Sequence, residues 1–341
     1  MVDLAAPGPA TLALLEPADV IAAVPYLLGY RPDRSVIVLA LSRLPSAAGA
    51  PPRSRLRSVS RTDIPAAADA ATVARELVAE SAAEGVAEVV VVVFGRAPAT
   101  LWPCLEAELA ARRIGIRDAL RVEAGRWWSH LCADPACCPP DGTPVLEPTV
   151  PGGPARVAAT LVAAGLAVLP SRQALSDLVR PDRGLDRLRV ERAVARAGGS
   201  VGARLAADPR TARSLRAETL ALLGATVRGH LTPGGAGPLP VATVARLVVG
   251  VHHPAVFDRC GRGPEWTAGR RGAAGLAVWA ELLRRAPAGW SCGPGLILAA
   301  VASRYGDAPL ARAAASQVRA AGPMAPLAGR LARLVDTPSS R

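Results

Sequence analysis

Two apolar runs constrain this chain more than any other feature. Ser35–Leu41 reads SVIVLAL and Glu88–Phe94 reads EVVVVVF. Neither alternates polar with apolar, so each predicts a central strand buried on both faces. Such strands need helices around them, and the flanking segments supply the signals. Pro17-Ala-Asp19 opens a helix, with proline in the first turn and an acid favoured by the helix dipole. Pro25 kinks or restarts it, and Gly29 is placed to end it. Arg55–Ile64 predicts a second strand, on which Arg53, Arg55, Arg57 and Arg61 share one parity and hence one face. Helices are expected from Asp69 to about Glu84 and over Thr100–Arg113. Ala119–Glu123 then pairs with Arg126–His130 across a turn at Gly125. The order β-β-α-β-α-β-β predicts an N-terminal α/β domain over residues 12–150, a mixed sheet with flanking helices. The Pro/Gly/Ala-rich first dozen residues are expected to be disordered.

The pattern changes at Pro151-Gly-Gly-Pro154. Beyond it the strand signal fades, and helices are expected at 155–165, 171–180, 185–197, 208–227, 239–250, 267–285, 294–305, 308–320 and 325–335. Turns at Gly306-Asp307 and Gly322-Pro323 fold the last three into hairpins, like one degenerate tetratricopeptide-type unit without a repeating array. Residues 151–336 therefore read as an all-α C-terminal domain with helical hairpins. A length of 341 residues suits two domains.

All 40 basic residues are arginine, and the chain has no lysine. That excludes Walker A phosphate loops, Schiff-base aldolases, pyridoxal phosphate enzymes and protein kinases in their usual forms. The charge is uneven: residues 1–150 hold 14 Arg against 17 acids, and residues 151–341 hold 26 against 11. An acidic partner is thus expected at the helical half, a protein before a nucleic acid. Arg189, Arg192 and Arg196 fall on one helix face and are the candidate anion site. No nucleic-acid-binding signature accompanies them, and a solvated face is the plain reading. No positively charged leader precedes Arg31 and no apolar run is long enough to span a bilayer, so a cytoplasmic protein without a membrane partner is expected.

The segment Arg126–Gly142, RWWSHLCADPACCPPDG, concentrates aromatic and thiol chemistry. His130, Cys132, Cys137 and Cys138 offer the four N/S ligands that zinc takes. The H-x-C-x4-C-C spacing is not a standard zinc spacing, and adjacent Cys137 and Cys138 are not expected to face one ion readily. A bridge from Cys132, a reactive thiol paired with His130, and free thiols in a proline-stiffened turn are the other readings. Trp127 and Trp128 should point to opposite faces of a strand, one into the core. The other, beside Arg126, lies under a loop or faces a ligand. Gly289-Trp-Ser-Cys-Gly293 matches a nucleophile elbow in letters only, because a helix precedes it and no histidine follows His253. His252-His253 reads as the start of a helix with Pro254 in its first turn. Ligands of α/β sheets bind beyond strand carboxyl ends. Asp19, Arg31, Arg61, Asp63 and Arg96, with Trp127 and Trp128, are therefore the candidate cleft.

Several segments together resemble one actinobacterial family, domain-of-unknown-function family 4192. They are Pro17-Ala-Asp19, PYLLGYRP (Pro25–Pro32), Ser35–Leu41, Arg61-Thr-Asp63, GRWWS (Gly125–Ser129), CADPACCPPDGTP (Cys132–Pro144) and HHPAVFD (His252–Asp258). The resemblance covers about residues 12–335. It implies an aromatic residue where this chain has His130, and it implies no activity. The functional expectation is a binding or interaction protein: the α/β cleft would hold a small ligand or peptide and the basic helical half a partner. The alternatives are a hydrolase or thiol-dependent enzyme with a site between Asp63, Arg96 and the Cys132–Cys138 turn, and a nucleic-acid-associated protein.

Overall fold

The structure is a computed structural model. It describes residues 2–5, 11–14, 16–45, 53–82, 85–145, 153–163, 166–208, 210–232, 237–262 and 269–320. The chain divides into two compact units, Met1–Arg172 and Gln173–Arg341.

The first unit is an eight-stranded mixed sheet with helices. Its strands are β1 (Val2–Ala5), β2 (Thr11–Leu14), β3 (Ser35–Arg43), β4 (Ser54–Asp63), β5 (Glu88–Phe94), β6 (Gly115–Glu123), β7 (Arg126–Ser129) and β8 (Thr143–Pro144), in the order β2-β1-β4-β3-β5-β6-β7-β8. The two apolar runs are adjacent antiparallel strands, with Ser35 opposite Phe94 and Leu41 opposite Glu88. Val36, Val38, Val89, Val91 and Val93 pack under α2 (Ala70–Ser81) and α3 (Leu101–Ala111), against Leu77, Leu101, Leu105 and Leu109. Ile37, Leu39, Val90 and Val92 point the other way and are buried as well. Both faces of these strands leave water, which is why neither run alternates. The segment β5-α3-β6 is a parallel crossover, and β6 turns into β7 through Ala124 (φ 48°) and Gly125 (φ 73°). Two left-handed residues match the turn to the strand twist.

Helix α1 (Pro17–Leu28) starts at its proline, continues through Pro25, and ends at Gly29 with φ 77°. It packs against α4 (Gly153–Ala163), which therefore belongs to the first unit, beyond the composition break at Pro151. Two expectations are corrected here. Residues 2–5 and 11–14 are paired strands, not disordered: β1 pairs with β2 along its length and meets β4 at Ser54 and Arg55. The arginines of β4 do not share a face. The β3–β4 register shifts between Ala40, opposite Ser58, and Leu41, opposite Leu56, so Arg57 is the extra residue of a bulge. One inserted residue reverses the parity of all that precedes it.

The second unit is helical. After α5 (Arg172–Asp177), whose first residue ends the first unit, come α6 (Leu185–Ala207), α7 (Thr211–Leu231), α8 (Val241–Gly250), α9 (Pro254–Arg262), α10 (Gly269–Arg285), α11 (Cys292–Tyr305) and α12 (Ala308–Ala320). Helix α11 is buried from Cys292 to Ala302 and is the centre of this core, with Phe257, Trp279 and Leu283 around it. It joins α12 as a hairpin through Gly306 (φ 88°), and the Asp307 carboxylate accepts from Leu310 N at 3.0 Å. The expected helix at 325–335 and the turn at 322–323 lie outside the described residues. The expected stop at Ala197 is wrong. Helix α6 continues through Gly198, Gly199 and Gly202 to Ala207, although each glycine costs about 0.5–1 kcal/mol against alanine. A buried ion pair fixes the helix ends. Arg285 donates to Glu281 Oε1 (2.8 Å) and Leu239 O (2.5 Å) and pairs with Asp186 (3.0 Å), while Leu239 N donates to Glu281 Oε1 (2.7 Å). No helix of the described residues is long and apolar enough to cross a membrane.

Candidate functional site

The sheet end beyond β4 and β5 holds part of the expected cleft. Arg61 donates to Ser35 Oγ (2.6 and 3.0 Å) and pairs with Asp63 at 2.5 Å. Asp63 is 72% exposed and also meets Arg172 at 3.5 Å. Arg96, 83% exposed, lies 3.9 Å from Glu123. Asp19 is elsewhere in function: it is 3% exposed, accepts from Arg156 Nη2 at 3.2 Å, and so ties α1 to α4. Arg31 is exposed, and its backbone N donates to Leu169 O at 3.0 Å. Of these residues, Arg61, Asp63 and Arg96 are ion-paired, Asp63 and Arg96 at exposed positions.

Trp127 is buried, as one of the two indoles must be. Trp128 lies on the other face between the Arg121 guanidinium, 4.1 Å from its ring centre, and the loop that returns to β8. Its Nε1 donates to Pro140 O (3.0 Å), and Arg126 donates to Asp141 O (2.5 Å) and Gly142 O (2.9 Å). Trp128 is therefore a fastener for the cysteine loop. Gly142 (φ 74°) passes so close that a Cβ there would stand 2.4 Å from Trp128 Cε2.

Inside that loop Asp134 makes the turn. Its carbonyl accepts from Cys137 N (3.2 Å) and Cys138 N (2.7 Å), and its carboxylate accepts from Ala136 N (2.9 Å). The result corrects the expectation for the adjacent cysteines: the sulfurs of Cys132, Cys137 and Cys138 all lie within 4.8 Å of one another. His130 does not join them. It packs on Trp102 with ring centres 4.3 Å apart, and burial, then Arg121, holds its pKa below the ordinary value. The Cys138 thiol donates to Cys132, holding the Cys132 thiol below its usual range and pushing Cys138 up to about 11. Strands β3, β5 and β6 separate β4 from β7. Asp63 and the cysteine loop thus stand about 19 Å or more apart at the spacing of paired strands, and they do not share a site.

In the helical unit Arg189, Arg192 and Arg196 are exposed on α6. Further along the same helix a hollow opens that the sequence did not announce. A cavity of about 550 Å³ lies among α6, α7, α8 and Trp290, within the range of small-molecule sites. The stretch Gly198–Gly202 has little side-chain volume, and Val201, Leu215, Leu222 and Val249 supply apolar wall. Polar residues also line it. Arg204 grips Glu218 with two bonds (2.9 and 3.2 Å), and this, with Arg246 nearby, lowers the Glu218 pKa. His252 Nδ1 donates to Val248 O (2.8 Å), and its ring meets Trp290 edge-on at 4.9 Å. Burial lowers the His252 pKa, so the ring stays neutral, and its Nε2 is buried without a hydrogen-bond partner. His253 behaves as a helix start should: its Nδ1 accepts from Ala255 N at 3.2 Å. Sequence reasoning read both histidines that way and missed His252. The available signal was three glycines inside one helix, which usually mark packing or function. Ser291, of the false elbow, sits after a 3-10 turn and donates to Ala288 O (3.0 Å).

Comparison with curated proteins and with solved structures gave no match. The segments singled out above, from Pro17 to the histidine pair, all fall within one family model, which matches residues 17–337, and the chain accordingly belongs to the family described as Domain of unknown function (DUF4192).

Proposed function

We propose that the chain is a cytoplasmic ligand-binding protein that takes a small amphipathic molecule into the cavity among α6, α7 and α8. One observation carries this reading: a hollow of about 550 Å³ has mostly apolar walls, with Arg204, Glu218, Arg246 and His252 among its lining. Arg204 and Arg246 against Glu218 leave the lining one positive charge in excess, which suits a monoanion. Trp290 and the aliphatic wall suit a planar apolar body. The sheet-end ion pairs, open and already satisfied by one another, offer a weaker case for a ligand.

Anilinonaphthalene sulfonate carries an apolar body, one anionic group and one N–H, and serves as the probe. The expected result is saturable binding of one equivalent, read by dye fluorescence. Val201→Trp, which fills the hollow, should weaken it by about tenfold or more, equivalent to 1.4 kcal/mol, with unchanged far-ultraviolet circular dichroism. Absence of saturable binding, or equal binding by the variant, would overturn the reading.

A further inference from the structure

We infer that Cys132, Cys137 and Cys138 form a three-thiolate site for a soft closed-shell cation, zinc(II) or copper(I). The inference is independent of the cavity in the helical unit.

Three sulfurs already converge within 4.8 Å. Metal–sulfur bonds of about 2.3 Å place tetrahedral sulfur ligands about 3.8 Å apart, so closing on an ion requires each pair to move by about 1 Å or less. Side-chain rotation covers that. The backbone need not move, because it is held from three directions without any ion. Asp134 O collects the Cys137 and Cys138 amides, Trp128 Nε1 holds Pro140 O, and Arg126 holds Asp141 O and Gly142 O. A site whose ligands are in place beforehand forgoes the ordering cost of assembling them.

The donor set selects the ion. Among the described residues no histidine or carboxylate joins the three sulfurs. His130 is engaged with Trp102, and the Asp134 carboxylate with Ala136 N. An all-thiolate set disfavours magnesium, calcium and manganese and favours copper(I) or zinc. Zinc would keep a water at its fourth position, and copper(I) is satisfied by three sulfurs. On binding, three S–H bonds are lost, three S–metal bonds form and three protons pass to solvent. The loop is at the surface, with Cys137 exposed, so an ion has access.

The test is titration of the reduced full-length chain with zinc(II) and, separately and anaerobically, with copper(I), each against a chromophoric chelator. One equivalent of one or both ions should bind, and the arm that competes better names the metal. Cobalt(II) should give thiolate-to-metal charge-transfer absorption, which reports sulfur ligation directly. Cys132→Ser, Cys137→Ser and Cys138→Ser should each weaken binding by about tenfold or more, the least that disturbing a metal shell costs. Cys104→Ser, on α3 and outside the group, should not. The proposal is overturned if the reduced protein takes up neither ion stoichiometrically, or if the three loop variants bind as the parent does.

Discussion

Replacing Gly250 by alanine should destabilise the helical unit, although alanine is the better helix former. Gly250 ends α8 where it crosses α7. A Cβ there would lie 2.4 Å from Thr219 Oγ1, 2.5 Å from its Cγ2 and 3.0 Å from its Cβ. Comfortable separation is about 3.5–4.0 Å, so the two helices would have to part by roughly 1 Å. Thr219 cannot swing away freely, since it is buried and its hydroxyl donates to Leu215 O at 2.8 Å. Overpacking of this kind costs about 1–3 kcal/mol, and the gain from removing a helical glycine offsets at most about 0.5–1. The net loss is about 1–2 kcal/mol. With a urea dependence of about 2 kcal/mol per molar, the unfolding midpoint falls by about 0.5–1 M. Gly199→Ala is the control, for nothing lies within 4 Å of its Cβ position on exposed α6. The same substitution there should raise the midpoint. Thr219→Ala in the Gly250→Ala background should recover part of the loss, a coupling of about 1 kcal/mol. The reasoning fails if Gly250→Ala stabilises the protein as Gly199→Ala does.

Three further outcomes follow from the geometry. Gly142→Ala combines a left-handed backbone (φ 74°) with a clash against Trp128. It should cost about 2–3 kcal/mol and alter the near-ultraviolet dichroism of the tryptophans, seen by thermal unfolding with both signals recorded. Arg285→Met strands the buried Glu281 carboxylate and should cost about 3–5 kcal/mol, and adding Glu281→Leu should return much of it, because an apolar pair needs no partner. Burial lowers the pKa of His252 and, with Arg121, of His130. The unfolded chain therefore takes up protons below about pH 6.5 that the folded chain refuses, so stability is greatest above that value and falls as pH drops through it. His252→Gln should flatten part of that decline in urea midpoints measured across the range.

How far the sequence revealed the molecule depended on the reach of each interaction. Central strands were legible because burial on both faces writes itself into consecutive residues, as at 35–41 and 88–94. The start of α1 at Pro17 and its end at Gly29 were legible because capping is local. The bulge at Arg57 was not, since a register shift is decided by β3 across the sheet. The strands at 2–5 and 11–14 likewise depend on pairing with each other and with β4. In the cysteine loop, the spacing suggested that Cys137 and Cys138 diverge. The Asp134 carbonyl, by accepting from both amides, turns them together. The cavity was least legible. His252 acquires its role from Trp290 and from glycines some fifty residues earlier in α6, and no local pattern joins them.

The central claim is that the helical unit holds a ligand in the cavity that His252 lines. Nitrogen-15 spectra of the imidazole rings, with and without saturating anilinonaphthalene sulfonate, address it directly. Without the dye, His252 should show a protonated Nδ1 and a bare Nε2. With the dye, the His252 ring signals should shift as the cavity beside the ring fills, while His230, which lines a different depression, should hold still. Bound dye with unmoved His252 ring signals would contradict the account.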